Sequence, residues 1–112
     1  MSEILFKSFC FENNCNNKEI INWKHDTCSS SSHEYINDNA YIRCGECGRM
    51  WPLLMTKFNC SRHINFYSIG NTSLKKAINV VSSMIMCNEI NYLFYTKIVE
   101  NLKEQTKKFG LE

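Results

Sequence analysis

Three pairs of cysteine or histidine residues, each with two residues between its members, follow one another along the middle of this chain: His25 and Cys28, Cys44 and Cys47, Cys60 and His63. A turn of that length lets both side chains aim at one point, so each pair is half of a four-donor cage. Thiolate and imidazole are the donors that a zinc ion, Zn2+, takes at tetrahedral corners. The middle pair is the most specific of the three. It reads Cys44-Gly45-Glu46-Cys47-Gly48, and glycine on either side permits the tight, partly left-handed backbone of a metal-binding knuckle.

Two combinations complete a site. His25 and Cys28 with Cys44 and Cys47 leave fifteen residues between pairs, a spacing known from paired zinc ligands. Cys44 and Cys47 with Cys60 and His63 leave twelve residues between pairs, also long enough to go out and return. The first set is preferred, because a hairpin is expected between its pairs and Trp23 can pack behind the metal. Two ions, with His33, Cys10 or Cys15 adding donors, form a third arrangement, and Cys60 and His63 would then serve the second site. Cys87 lies in an apolar helical stretch and reads as a packed thiol.

A zinc ion saturated by four protein ligands has no position left for water or substrate, so its role is structural. No HExxH occurs, and the deaminase pattern of HxE with PCxxC fails because Arg43, not proline, precedes Cys44. The chain is therefore expected not to be an enzyme.

Composition agrees with a metal-stabilised domain. The chain has 112 residues, enough for one domain, 1–112, with a single modest core, and its 44% hydrophobic content is that of a folding sequence. Seven cysteines are an odd number, and the opening Met1-Ser2-Glu3-Ile4 lacks the basic start and long apolar run of a secretory signal. Both favour metal ligands in a reducing compartment over a disulfide framework, and an intracellular location, cytoplasmic or nuclear. No run of about 18 apolar residues is present, so no membrane span is expected. A net charge of +2 attracts phosphate backbones only weakly.

The elements that must hold the ligands follow from pattern. Residues 1–17 read as a short strand or extended arm, Ile4 to Phe11, and then an asparagine-rich loop. Residues 18–68 form the ligand-bearing region. There Glu34-Tyr35-Ile36 and Ala40-Tyr41-Ile42-Arg43 are strands joined by the turn Asn37-Asp38-Asn39, and the second strand delivers Cys44. Trp51 to Met55 and Lys57 to Asn59 are expected to continue as strand, giving a three-stranded antiparallel sheet with Pro52 at an edge or bend. Residues 71–110 read as an αα-hairpin. Asn71-Thr72-Ser73 caps a helix with the stripe Leu74, Ile78, Val81 and Ile85. A second helix is expected from near Asn88 to Lys108, with Ile90, Phe94, Ile98 and Leu102 on one face and Gly110 as its stop. The fold class is thus α+β.

Over residues 25–63 the CxxCG knuckle and the paired spacing resemble zinc ribbons and related small zinc-binding modules. That resemblance implies a structural metal in a small antiparallel sheet and leaves the partner open, since such modules serve transcription, RNA, ubiquitin and scaffold proteins alike. Two functions compete. The second helix carries apolar and aromatic groups around most of its circumference, and Tyr92, Phe94 and Tyr95 are candidate contacts for a protein partner or a second copy of the chain. Such a chain is an interaction or adaptor module in a larger assembly. Alternatively Arg43, Arg49, Lys57 and Arg62, interleaved with Trp51 and Phe58, can track phosphates and stack bases of RNA or single-stranded DNA.

Overall fold

The structure is a computed structural model that describes residues 3–8, 21–22, 28, 33–57, 68–69, 73–86 and 91–110. The strands are β1 (Glu3–Leu5), β2 (Lys7–Ser8), β3 (Ile21–Asn22), β4 (Glu34–Asn37), β5 (Tyr41–Cys44), β6 (Met50–Pro52), β7 (Thr56–Lys57) and β8 (Ser68–Ile69). The helices are α1 (Leu74–Met86) and α2 (Tyr92–Phe109). A four-stranded antiparallel sheet in the order β1-β4-β5-β6 is followed by the two helices, an α+β arrangement. Two short ribbons, β2 with β3 and β7 with β8, form separate two-stranded sheets.

The sheet is built on the β4–β5 hairpin. Side chains alternate between faces along a strand, and here Glu34 and Ile36 of β4 and Ile42 and Cys44 of β5 are the buried set. The turn between the strands is made by Asn37. Its Oδ1 accepts from the N–H of Asn39 (3.0 Å) and of Tyr41 (3.1 Å), while its carbonyl accepts from Ala40 N–H. Ala40 closes the turn at φ 64°, a left-handed conformation that costs a residue with a Cβ roughly 1–2 kcal/mol. Tertiary bonds hold it there. Its carbonyl accepts from Leu53 N–H (2.9 Å) and from the Gln105 side-chain amide (3.1 Å).

The sheet differs from the expected three strands at both ends. The N-terminal arm supplies a fourth strand, β1, in register with β4 through Ile4 opposite Ile36, and Phe6 just after it is fully buried. On the other side, strand ends at Pro52, and Leu53–Met55 form one turn of 3₁₀ helix before β7. Proline has no N–H for a further ladder bond, so β6 is an edge strand, as the position of Pro52 suggested. The turn drops Leu53 and Leu54 into the core, where neither is exposed.

α1 starts where Ser73 Oγ accepts from Lys76 N–H (3.0 Å), and α2 where Asn91 Oδ1 accepts from Phe94 N–H (2.8 Å). The second helix therefore begins at Tyr92, not near Asn88. Gly110 ends it in the left-handed conformation at φ 63°, with Lys107 and Lys108 in the last turn. The buried face of α1 is Ala77, Val80, Val81 and Met84, with Leu74 and Ile78 at its flank, so the helix is rotated from the expected stripe. From α2, Ile98 and Leu102 enter the same core, and Phe94 and Tyr95 pack against its margin. Leu102 is followed one turn on by the buried polar pair Gln105 and Thr106.

Candidate metal centre

Cys44 is the last residue of β5 and its side chain lies on the core face, where the residue is completely buried. After it the chain must reverse to form β6. Gly48 N–H donates to the Cys44 carbonyl (2.9 Å), and Cys44 N–H donates to the Arg49 carbonyl (2.9 Å). Gly48 sits at φ 77°, the left-handed conformation its lack of a Cβ permits. The backbone N–H groups of Glu46 and Cys47 point back at Cys44 Sγ, at 3.4 and 3.5 Å. These are the amide contacts that stabilise negative charge on a sulfur. Cys47 is carried to the solvent side of the knuckle and is exposed.

Gly45 has a different task from Gly48. Its N–H donates to the His33 carbonyl at 2.7 Å, which pins the knuckle against the start of β4. A Cβ on residue 45 would stand 2.9 Å from Tyr35 Cε2 and 3.1 Å from the His33 carbonyl oxygen. The glycine is required here by close approach, not by a left-handed backbone.

The third sulfur comes from outside the knuckle. Cys28, half-buried against the core cluster, places its Sγ 3.6 Å from that of Cys44. The Sγ atoms of Cys28, Cys44 and Cys47 all lie within 4.8 Å of one another, and none of the three is in a disulfide. At a Zn–S distance of about 2.3 Å, two sulfurs at tetrahedral corners are separated by roughly 3.8 Å. The spacing of Cys28 and Cys44 is therefore that of two ligands sharing an ion of this size. Three sulfurs so placed can bind a metal ion.

Charge explains why a cation is wanted. Loss of water pushes the Cys28 thiol up to about 12, with the neighbouring sulfurs of Cys44 and Cys47 adding to the shift. Cys47 moves the other way: the backbone N–H of Arg49 holds it below the ordinary thiol value, with Cys28 and Cys44 helping. A second or third thiolate beside the first is disfavoured by its charge. A divalent cation reverses the preference, since three thiolates in contact repel one another unless positive charge stands among them.

No family model, no curated protein and no solved structure matches this chain. The site is therefore read from its own atoms.

Of the residues singled out by spacing, Cys28, Cys44 and Cys47 are brought together. His25, Cys60 and His63 lie outside the described residues, as do Cys10, Cys15 and Cys87. His33 is described and exposed. It serves through its backbone carbonyl, and among the described residues the cluster contains only the three cysteines. Of the three aromatic residues proposed to meet a partner, Tyr92 is 76% exposed, whereas Phe94 and Tyr95 are half-buried against the core. Leu93, 67% exposed, takes their place beside Tyr92. Among the described residues no helix is long and apolar enough to cross a membrane.

Of the basic and aromatic residues read as a nucleic-acid face, Phe58 and Arg62 lie outside the described residues, and Trp51, Arg43 and Arg49 are engaged in contacts within the chain. Trp51 is 4% exposed and donates its Nε1–H to Thr56 Oγ1 (3.0 Å), so its ring is not open to a base. Arg43 lies over the Tyr35 ring and is held by Glu3 through Nε and Nη2, the shortest contact being 2.8 Å. Arg49 lies over Trp51. Two features carried no sequence signal. Glu34, directly across the ladder from Cys44, is a buried carboxylate on the core face. Asn101 and Gln105 of α2 donate to the carbonyls of Asp38, Asn39 and Ala40, fastening the helix to the hairpin turn.

Proposed function

We propose that this chain is a zinc-stabilised interaction module of zinc-ribbon type, working inside the cell as a subunit of a larger assembly and not as an enzyme. The observation that carries the reading is the convergence of Cys28 with the Cys44 and Cys47 knuckle, with sulfurs at ligand spacing and amides aimed at one of them. Thiolate-rich donor sets of this kind suit zinc among the common divalent ions. His25, separated from Cys28 by two residues as in the other pairs, is the fourth ligand in this proposal. A Cys3His set leaves the ion no open position and gives it the work of a cross-link between segments. A cross-link is useful here, because among the described residues the core is one cluster of modest size.

The partner reading draws on the N-terminal turn of α2, where Tyr92 and Leu93 present large apolar groups to solvent. The nucleic-acid alternative loses support from the burial of Trp51 and from the engagement of Arg43 with Glu3 and Tyr35.

Native mass spectrometry of the intact chain tests the metal. The expected result is one zinc per chain, lost in Cys44→Ser and Cys47→Ser and weakened more by His25→Ala than by His63→Ala. A metal-free protein that stays cooperatively folded in chelator would overturn the reading. For the partner, solution mass by light scattering and capture from the native source should show an assembly that Tyr92→Ser with Leu93→Ser disrupts. Salt-sensitive binding to generic single-stranded RNA, with no protein partner, would instead favour the alternative.

A further inference from the structure

The three sulfurs are not equally placed, and the differences make an order of events. Cys44 is completely buried, Cys28 is half-buried and Cys47 is exposed on the knuckle. An oxidant arriving from solvent therefore meets Cys47 first. Its sulfur lies within 4.8 Å of two others, one of which belongs to a segment remote in sequence.

We propose that Cys47 is a site of oxidation by hydroperoxides, and that the product is a disulfide joining Cys28 to the knuckle, formed as the metal leaves. Displacement of zinc rests on the metal reading above; the sulfur chemistry does not. In the first step Cys47 sulfur attacks the distal oxygen of the hydroperoxide, the O–O bond breaks, and the departing alkoxide or hydroxide takes a proton. Cys47 becomes a sulfenic acid. In the second step Cys28 sulfur attacks Cys47 sulfur, the S–S bond forms, the S–O bond breaks, and the hydroxide leaves as water with the proton that the Cys28 thiol gives up. Two thiols have lost two electrons and two protons, and the hydroperoxide has become an alcohol, or water, plus water. Zinc keeps its oxidation state and departs because two of its thiolates are consumed. Exchange with Cys44, whose sulfur is 3.6 Å from Cys28, moves the bridge within the knuckle without releasing the Cys28 segment.

The consequence is specific to this arrangement. A bridge between Cys44 and Cys47 would close only the local turn and let residue 28 go. One from Cys28 to the knuckle links the same two segments that the ion links, so the oxidised protein remains folded. Hydroperoxide thus exchanges one cross-link for another and frees zinc without unfolding the domain.

The test uses the full chain, reduced and reconstituted with zinc, and counts the metal by native mass spectrometry before any oxidant is added. A chain without zinc at that point fails the metal reading, and the sulfur chemistry is then scored on the thiols alone. Hydrogen peroxide is added at about one equivalent. The expected results are a denatured, metal-free mass lower by about 2 Da than that of the reduced chain, release of zinc to a colorimetric chelator at the same rate, and a peptide map with Cys28 bridged to Cys47 or Cys44. Far-ultraviolet circular dichroism is unchanged, and a dithiol reverses the change. Dimedone present during the reaction labels Cys47 in the wild type. This needs no variant and so is immune to misfolding, while Cys47→Ser slows the reaction at least tenfold. The proposal is overturned by a Cys44 to Cys47 bridge, by a bridge to Cys10, Cys15, Cys60 or Cys87, by dimedone on Cys28 or Cys44 alone, or by loss of structure as the bridge forms.

Discussion

Replacing Gly45 with alanine probes the close contact that pins the cysteine knuckle against the start of β4. The new Cβ meets Tyr35 Cε2 at 2.9 Å and the His33 carbonyl oxygen at 3.1 Å, both inside ordinary contact distance. The ring edge can swing only by disturbing Arg43, which lies 5.1 Å from its centroid. The carbonyl cannot retreat without lengthening the 2.7 Å bond it accepts from residue 45 itself. Overpacking of this kind costs about 1–3 kcal/mol, and alanine recovers about 0.4–1 kcal/mol by restricting the unfolded chain. The net destabilisation is about 1–2 kcal/mol, or roughly 5–10 °C in Tm for a domain of this size. Because Cys44 precedes residue 45, zinc affinity measured by chelator competition falls as well. Thermal melts in excess zinc, followed by circular dichroism, give the first quantity. Repeating the substitution in a Tyr35→Ala background removes the ring clash but leaves the carbonyl, so the cost shrinks by at least about 0.5 kcal/mol without vanishing. A Gly45→Ala protein that melts within about 1 °C of the parent and holds zinc equally well would refute the claim that close approach selects this glycine.

Three further outcomes are expected. Gln105→Ala removes both side-chain bonds to the carbonyls of Asn39 and Ala40 and should cost about 2–3 kcal/mol in urea unfolding, packing loss included; a change below about 0.5 kcal/mol would mean that α2 does not brace the hairpin turn. Glu3 has its carboxyl held below the usual range by its bond to Arg43, so its contribution is complete above the unfolded value of about 4.3 and is lost as pH falls through the lower folded value. Both side chains are partly exposed, which limits the pair to about 1 kcal/mol, and Glu3→Gln should flatten that part of the stability curve, measured by denaturant titration between neutral pH and acid. Removal of metal by a strong chelator should lower stability by several kcal/mol, since an ion present at about a thousand times its Kd contributes roughly 4 kcal/mol; an unmoved melting curve would speak against any structural metal.

Particular residues show why some of this was readable along the chain and some was not. The β4–β5 hairpin was legible because its signal is local: alternating apolar residues on both sides of Asn37-Asp38-Asn39, whose side chains close the turn themselves. The helices were legible from period, yet the start of α2 was misplaced by a few residues because two asparagines, Asn88 and Asn91, offer the same capping chemistry. The stripe of α1 was judged from large residues, whereas the helix turns the small Ala77 inward. The N-terminal strand was expected, but its place as the fourth strand of the sheet was not, because its pairing partner lies some thirty residues away. Trp51 to Met55 has strand-forming residues, but burying Leu53 and Leu54 together outweighed that preference, and a 3₁₀ turn resulted.

By itself the sequence determined the β4–β5 hairpin, the two helices after it, the α+β class and the turn at Cys44 and Cys47, all of which depend on side chains within a few residues of one another. The tertiary structure alone decided that Cys28 stands beside Cys44, that Gly45 is needed for contact with Tyr35 and His33, that Trp51 is sealed in the core and that Arg43 belongs to Glu3. Those facts depend on which segments share the limited space around one small core. Spacing along a chain restricts that choice, and packing makes it.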